Sequence, residues 1–269
     1  MKIRLGYDIV FELRAHTPML LMLYTHPSRA GDLLKPDHMS LEPSLPVQDY
    51  IDTFGNRCGR IVAPPGRLRL FSDNQISDCG IPDAVNTSAR QHAVGELPSD
   101  VMQFLLASRY CEVERFCDLA FQLFGQTPTG WPRVQAICDW VHNHVTFGYQ
   151  FARPTKTAWD VYNERTGVCR DFQHLSITLC RAMNIPARYA TGYLGDIGVP
   201  AVPMPMDFMA WFEVYLNNQW HTFDARHNTP RIGRVLMAHG RDAVDAALTT
   251  SFGHAELKSF KVWTDEVTG

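Results

Sequence analysis

The spacing of apolar residues shifts from β-like to helical near the end of the first third of this 269-residue chain, and that shift limits its folds more than any other feature. Up to about Gly80 the apolar side chains alternate or fall in short β-rich runs: "KIRLGYDIVFEL", "MLLMLYTH", "VQDYIDTFGNRCGRIVAP" and "GRLRLFSD". Turn-rich stretches such as "HPSRAGDLLKPDH" and "APPG" separate them. From about Ser99 the spacing becomes helical. "SDVMQFLLASRY" offers Ser99 or Asp100 as a cap, "EVERFCDLAFQLFG" closes at Gly125, and "WPRVQAICDWVHNHVTF" has Pro132 in its first turn. A further helix begins near Cys169, with Leu175, Leu179, Ala182 and Met183 as its apolar stripe, and Asn184 with Pro186 ends it. Three β segments follow, "PARYATGYL", "FMAWFEVYL" and "QWHTFDAR", the last two joined by a tight turn at Asn217-Asn218. "GRDAVDAAL" reads as a late short helix. These patterns predict an α+β protein: an N-terminal β-sandwich domain over residues 1–85, a polar boundary near 81–98, and an α+β core over 99–269 with helices packed on an antiparallel sheet.

The net charge of -3 carries no basic bias, so nucleic acid is not an expected partner. The longest apolar run, Met19 to Tyr24, is far too short to span a bilayer. The opening "MKIRLGYDIVFELRAH" alternates charged and apolar residues, unlike a signal peptide, and a cytoplasmic location is expected. The seven cysteines are odd in number and contain no C-x-x-C pair, which argues against a disulfide framework. Most should be buried and inert. No His/Cys spacing suits zinc and no loop suits calcium, so neither metal nor cofactor is expected.

One cysteine stands apart. In "ERTGVCRDFQHLSITLCRAMN", Cys169 falls at a helix start, two residues after Gly167. The thiolate is the reactive form of cysteine, and the unpaired amides and positive pole of a helix N-terminus favour it. The same amides suit an oxyanion on a bound carbonyl. Local context leaves two readings open, a nucleophile and a buried cysteine near a cap.

The wider pattern is more specific. Gly167-Val168-Cys169-Arg170-Asp171-Phe172, then Ile185-Pro186-Ala187-Arg188-Tyr189 and Thr191-Gly192-Tyr193, resemble the transglutaminase-like superfamily in its bacterial form. Ala210-Trp211-Phe212-Glu213-Val214-Tyr215 and Trp220-His221-Thr222-Phe223-Asp224-Ala225-Arg226 are similar to the same family, and the "D-x-F-G-N" run at Asp52 to Asn56 fits its N-terminal β domain. The resemblance covers roughly the second half of the chain. It implies a papain-like Cys-His-Asp catalytic triad with Cys169 as nucleophile and Asp224 as the acid that orients the imidazole. The histidine is expected directly before Ala210-Trp211, and that position is Met209. A methionine neither takes the thiol's proton nor gives one to a leaving amine.

Among possible substitutes His227 ranks first, since it follows Asp224 closely and can fold back. His221, three residues before Asp224, should point to the opposite face of its strand. His174, five residues beyond Cys169, lies off that residue's helix face, and His142 and His144 should meet solvent or a carbonyl. Trp211 and Trp220 read as core aromatics, and Tyr149 as a packing residue with groove lining the alternative. The long "GDIGVPAVPMPMDF" segment is expected to wall the cleft; "PRIGRV" reads equally as a site closure or a basic surface. The resemblance implies a cysteine hydrolase, a peptidase or amidase that passes through a thioester and acts on a peptide or protein amide. The alternative is a catalytically impaired pseudoenzyme that binds a peptide or protein.

Overall fold

The computed structural model describes residues 1–201 and 206–267. Strands β1 (Lys2–Leu13), β2 (Thr17–Leu21), β3 (Ser40–Glu42), β4 (Gln48–Ile51), β5 (Arg57–Ala63) and β6 (Gly66–Ser77) occupy the first third. Their alternation is visible in β6, where Leu68, Leu70, Ser72, Asn74 and Ile76 are buried and the residues between them are half-exposed or exposed. Helices α1 (Cys117–Phe124) and α2 (Trp131–His144), the two-residue strand β7 (Thr146–Phe147), α3 (Ala158–Glu164), the two-residue β8 (Thr166–Gly167) and α4 (Cys169–Ala182) follow. The chain then forms β9 (Ala187–Tyr193), β10 (Met209–Leu216), β11 (Gln219–Phe223), β12 (Val235–Gly240), β13 (Thr249–Ser251) and β14 (Ala255–Glu266).

Two four-stranded sheets, in orders β14-β1-β6-β3 and β13-β2-β5-β4, share one apolar core and form the sandwich. The sequence reading placed everything after residue 99 in the second region. Strands β13 and β14 instead return to the first, with β14 paired along β1 from Ile3↔Glu266 to Leu13↔Ala255. The sandwich core also takes Tyr193 of β9, Phe208 just before β10, and Val235 and Met237 of β12, so the two regions are joined by buried apolar surface. The segment 81–98 is likewise not a loose linker. Ala89 is buried, and its carbonyl accepts the Trp131 amide at the start of α2.

The second region is a four-stranded antiparallel sheet, β11-β10-β9-β12, with α4 packed on β10 and β9. The Asn217-Asn218 hairpin turn forms as expected, both residues having positive φ. Helix α4 departs from its amphipathic reading: every residue from Asp171 to Ala182 is buried, polar ones included. Each polar side chain there has a partner. Ser176 and Thr178 bond back to Phe172 and His174 carbonyls, and Arg181 donates to the Ala187, Leu106 and Arg241 carbonyls. Two expected helices are absent. "SDVMQFLLASRY" holds only a 3-10 turn at Met102–Phe104, because Met102 and Leu106 find nothing to pack against and stay exposed. "GRDAVDAAL" is a set of turns, because Asp242 and Asp245 accept the Val244 and Arg241 amides and offer the backbone an alternative to helix. Among the described residues no helix is long and apolar enough to cross a membrane, and no cluster of three His, Cys, Asp or Glu side chains is placed to hold a metal ion.

Candidate active site

Cys169 is the first residue of α4. Asp171, buried in the first turn, accepts the Val168 amide at 2.9 Å and fixes the helix entry. Gly167 is required there by close approach rather than by its φ: a Cβ would lie 2.7 Å from the Asp171 Cβ. The cysteine is half-exposed and opens onto a cleft of about 580 Å³, shared with Tyr110, Arg170, Tyr189, Asp207 and Met209. Phe260 of β14 and Thr249 of β13 also line it. Burial pushes the Cys169 thiol up to about 11, and the nearby Asp207 carboxylate adds to the rise. Arg226 and the Ala210 and Arg170 amides pull the other way and do not prevail. At neutral pH this sulfur is a thiol, although it sits at the pole of a helix.

Met209 opens β10, its carbonyl held by the Thr191 hydroxyl at 2.9 Å. The next residue, Ala210, presents its amide to the Cys169 sulfur. Met209 therefore stands beside the thiol, where the sequence pattern calls for an imidazole. Among the described residues no imidazole is hydrogen-bonded to that sulfur.

Asp224, just past β11, is buried and heavily partnered. It accepts Gln173 Nε2 at 3.0 Å, the Arg226 and His227 amides at 3.0 and 3.2 Å, His227 Nδ1 at 2.8 Å and Arg234 Nη2 at 3.1 Å. Burial alone would raise its carboxyl; Arg234 and then His227 overcome this and hold it well below the usual carboxylate range. Gln173 also donates to the Ala210 carbonyl at 3.2 Å, so one side chain of α4, four residues after Cys169, links β10 to Asp224.

His227 does fold back onto Asp224. Its Nδ1 donates to the carboxylate, which leaves Nε2 as an acceptor, and Arg226 Nη1 fills it at 2.9 Å. The same Nη1 lies 3.5 Å from the Met209 sulfur. A guanidinium thus stands between the imidazole and Met209, and His227 opens onto a second cavity that shares Met209 with the first.

The other histidines weighed as substitutes, His221, His174, His142 and His144, make structural contacts. His221 is buried with its ring edge-on to Trp131, and His174 is buried, stacked on Tyr110 and accepting the Ala243 amide at 3.1 Å. His142 and His144 meet the Ala225 and Tyr162 carbonyls. Trp211 is a core residue, but Trp220 is only half-buried, under the Arg188 guanidinium. Tyr149 is 38% exposed and lines the second cavity, so it packs less than its sequence context suggests. Four of the "GDIGVPAVPMPMDF" residues, 202–205, lie outside the described residues; Asp196 and Met206 wall the second cavity and Asp207 and Phe208 the cleft. Sequence reasoning missed Gln173, Arg226 and Asp207. "PRIGRV" held the signal for Arg234, whose Nε also pairs with Asp83 at 2.8 Å.

The arrangement can be set beside known proteins. The family model described as the transglutaminase-like superfamily matches residues 118–225, a span that holds Cys169, Met209 and Asp224. A solved structure from Cytophaga hutchinsonii, provisionally described as a cysteine protease, is 30% identical with a TM-score of 0.86; the match covers 100% of this chain and 91% of that one. The chain belongs to the transglutaminase-like superfamily. An uncharacterized protein of Mycobacterium leprae, 30% identical over 117 residues, is matched over only 42% of its length and 42% of this chain. The transglutaminase-like fold accounts for the cysteine-bearing helix and the antiparallel sheet that faces it.

Proposed function

We propose that this protein acts on a peptide or protein amide as a transglutaminase-like cysteine hydrolase, with Cys169 as nucleophile, Asp224 as the triad carboxylate and Met209 limiting the rate. One observation carries the reading: a cysteine at the start of α4, beside the Ala210 amide and open to a cleft of about 580 Å³. In the reaction the Cys169 sulfur adds to the amide carbonyl, the C–N bond breaks as the amine leaves with a proton, and water then cleaves the thioester. The amides at the helix start suit the oxyanion. The proton needs a carrier between thiol and leaving amine, and Met209 is not one. We also propose a cytoplasmic setting, supported by seven cysteines that stand unpaired.

A second reading, a peptide- or protein-binding pseudoenzyme, is favoured by the raised thiol and by Arg226 occupying His227. The Met209→His variant separates the two. Restoring the imidazole should raise peptide amidase activity by about 100-fold or more, and Cys169→Ala in the same background should abolish the gain. A folded Met209→His variant with no gain would leave binding as the function of the cleft.

A further inference from the structure

The second cavity, about 270 Å³, shares Met209 with the cleft onto which Cys169 opens. Its walls include Leu194, Val199, Pro200 and the His227 imidazole, and its charged groups are Arg226, Arg231 and Asp196. Arg226 is half-exposed, and among the described residues it forms no ion pair. Its guanidinium meets the His227 imidazole at 2.9 Å, the Met209 sulfur at 3.5 Å and the Phe147 ring, 4.0 Å from the centroid. Arg231 is buried; its Nη2 donates to the Gly195 carbonyl at 2.9 Å and reaches Asp196 at 3.5 Å. Its Nε is buried with no hydrogen-bond partner, an unmet donor on a cationic group.

Among the groups that line the cavity, two guanidiniums stand against one carboxylate, an excess of one positive charge. A buried N–H without an acceptor is retained at a cost to stability unless a ligand completes it. The charge balance suits a monoanion better than a doubly charged phosphate. A planar guanidinium fork suits a carboxylate, and the apolar walls suit the methylenes that carry one.

We propose that this cavity is an anion subsite of the cleft, in which Arg226 and Arg231 take a carboxylate of the bound peptide. This rests on the peptide-amide reading above. The carboxylate comes either from an acidic side chain or from a chain terminus, and both have the same chemistry at the site.

Fluorescence-detected binding of four labelled peptides to the intact protein tests it. One pair shares an alanine backbone with a central glutamate or glutamine and both ends capped. The other pair is all-alanine with a free or an amidated C-terminus. At low salt one pair should show about a tenfold preference for its carboxylate member, and the pair that shows it identifies the source. Arg226→Gln, a change at a half-exposed position, should bring that ratio close to one, as should Arg231→Gln if that buried change is tolerated. Equal binding within both pairs, or a preference that survives Arg226→Gln, overturns the subsite and leaves the peptide reading standing. No binding by any of the four removes both. A carboxylate preference alongside an inactive Met209→His variant supports the subsite and sinks only the hydrolytic chemistry.

Discussion

The two ends of the expected triad are built differently. Asp224 is clamped by Gln173, Arg234, His227 and two backbone amides, and is held ionised. Cys169 has Arg226 and the Ala210 and Arg170 amides to favour its anion, and burial with the Asp207 carboxylate outweighs them and holds it as a thiol. The difference teaches that the carboxylate is retained by structure as much as by chemistry. It ties β11 to α4 and to the β12 approach, so its position survives whether or not a proton is ever moved at the sulfur. A helix pole alone does not ionise a cysteine that is desolvated and faces a carboxylate such as Asp207.

The contrast can be broken in several ways. The largest effect is the gain expected from Met209→His, which would bring the weak end up to the strong one. Asp224→Ala comes next. It leaves the buried Arg234 with Asp83 as its one ion-pair partner and strips the His227 Nδ1 of its acceptor, and should cost about 3 kcal/mol in urea unfolding at pH 7. Cys169→Ala should change stability far less, by about 1 kcal/mol or under. Equal losses would show that the two ends are matched after all.

A smaller effect concerns acid. Because Asp224 titrates below its unfolded value of about 3.9, its contribution is complete above that pH and is lost as pH falls below it. The unfolding midpoint of the wild type should drop progressively as pH falls from about 4 to about 2, and Asp224→Asn should flatten part of that slope. The last test reads the sulfur directly. Iodoacetamide at pH 8 should label the exposed Cys79 and Cys117 about tenfold faster than Cys169, with the Cys169 rate climbing toward pH 11. Preferential labelling of Cys169 in the wild type would contradict a protonated thiol; in Met209→His it is the expected reversal.

Much of the fold was legible because local period reports local structure. The alternation in β6, Pro132 at the start of α2 and the Asn217-Asn218 turn each state their element within a few residues. The full burial of α4 was not legible, because Gln173, His174 and Arg181 look like a solvent face until their partners arrive from elsewhere in the chain. The site divides in the same way. Cys169, Met209 and Asp224 fall inside short patterns. Gln173 and Arg226 act through contacts to other elements, which no spacing announces. The nearness of His227 to Asp224 is legible in the sequence, but its occupation by Arg226 depends on side-chain direction, which no spacing carries. The late helix failed on competition, since Asp242 and Asp245 serve backbone amides as readily as they tolerate a helix.

The pairing of Ile3 with Glu266 joins positions separated by nearly the whole sequence. During synthesis the first strand must wait, with one edge unsatisfied, until the last strand leaves the ribosome. Contacts of such long range make for slow folding, and an unpaired apolar edge invites association in the meantime. Cells making this protein should therefore yield more of it at low temperature or with holdase chaperones in excess, and ribosome-stalled chains lacking the final strand should be unusually sensitive to protease across β1.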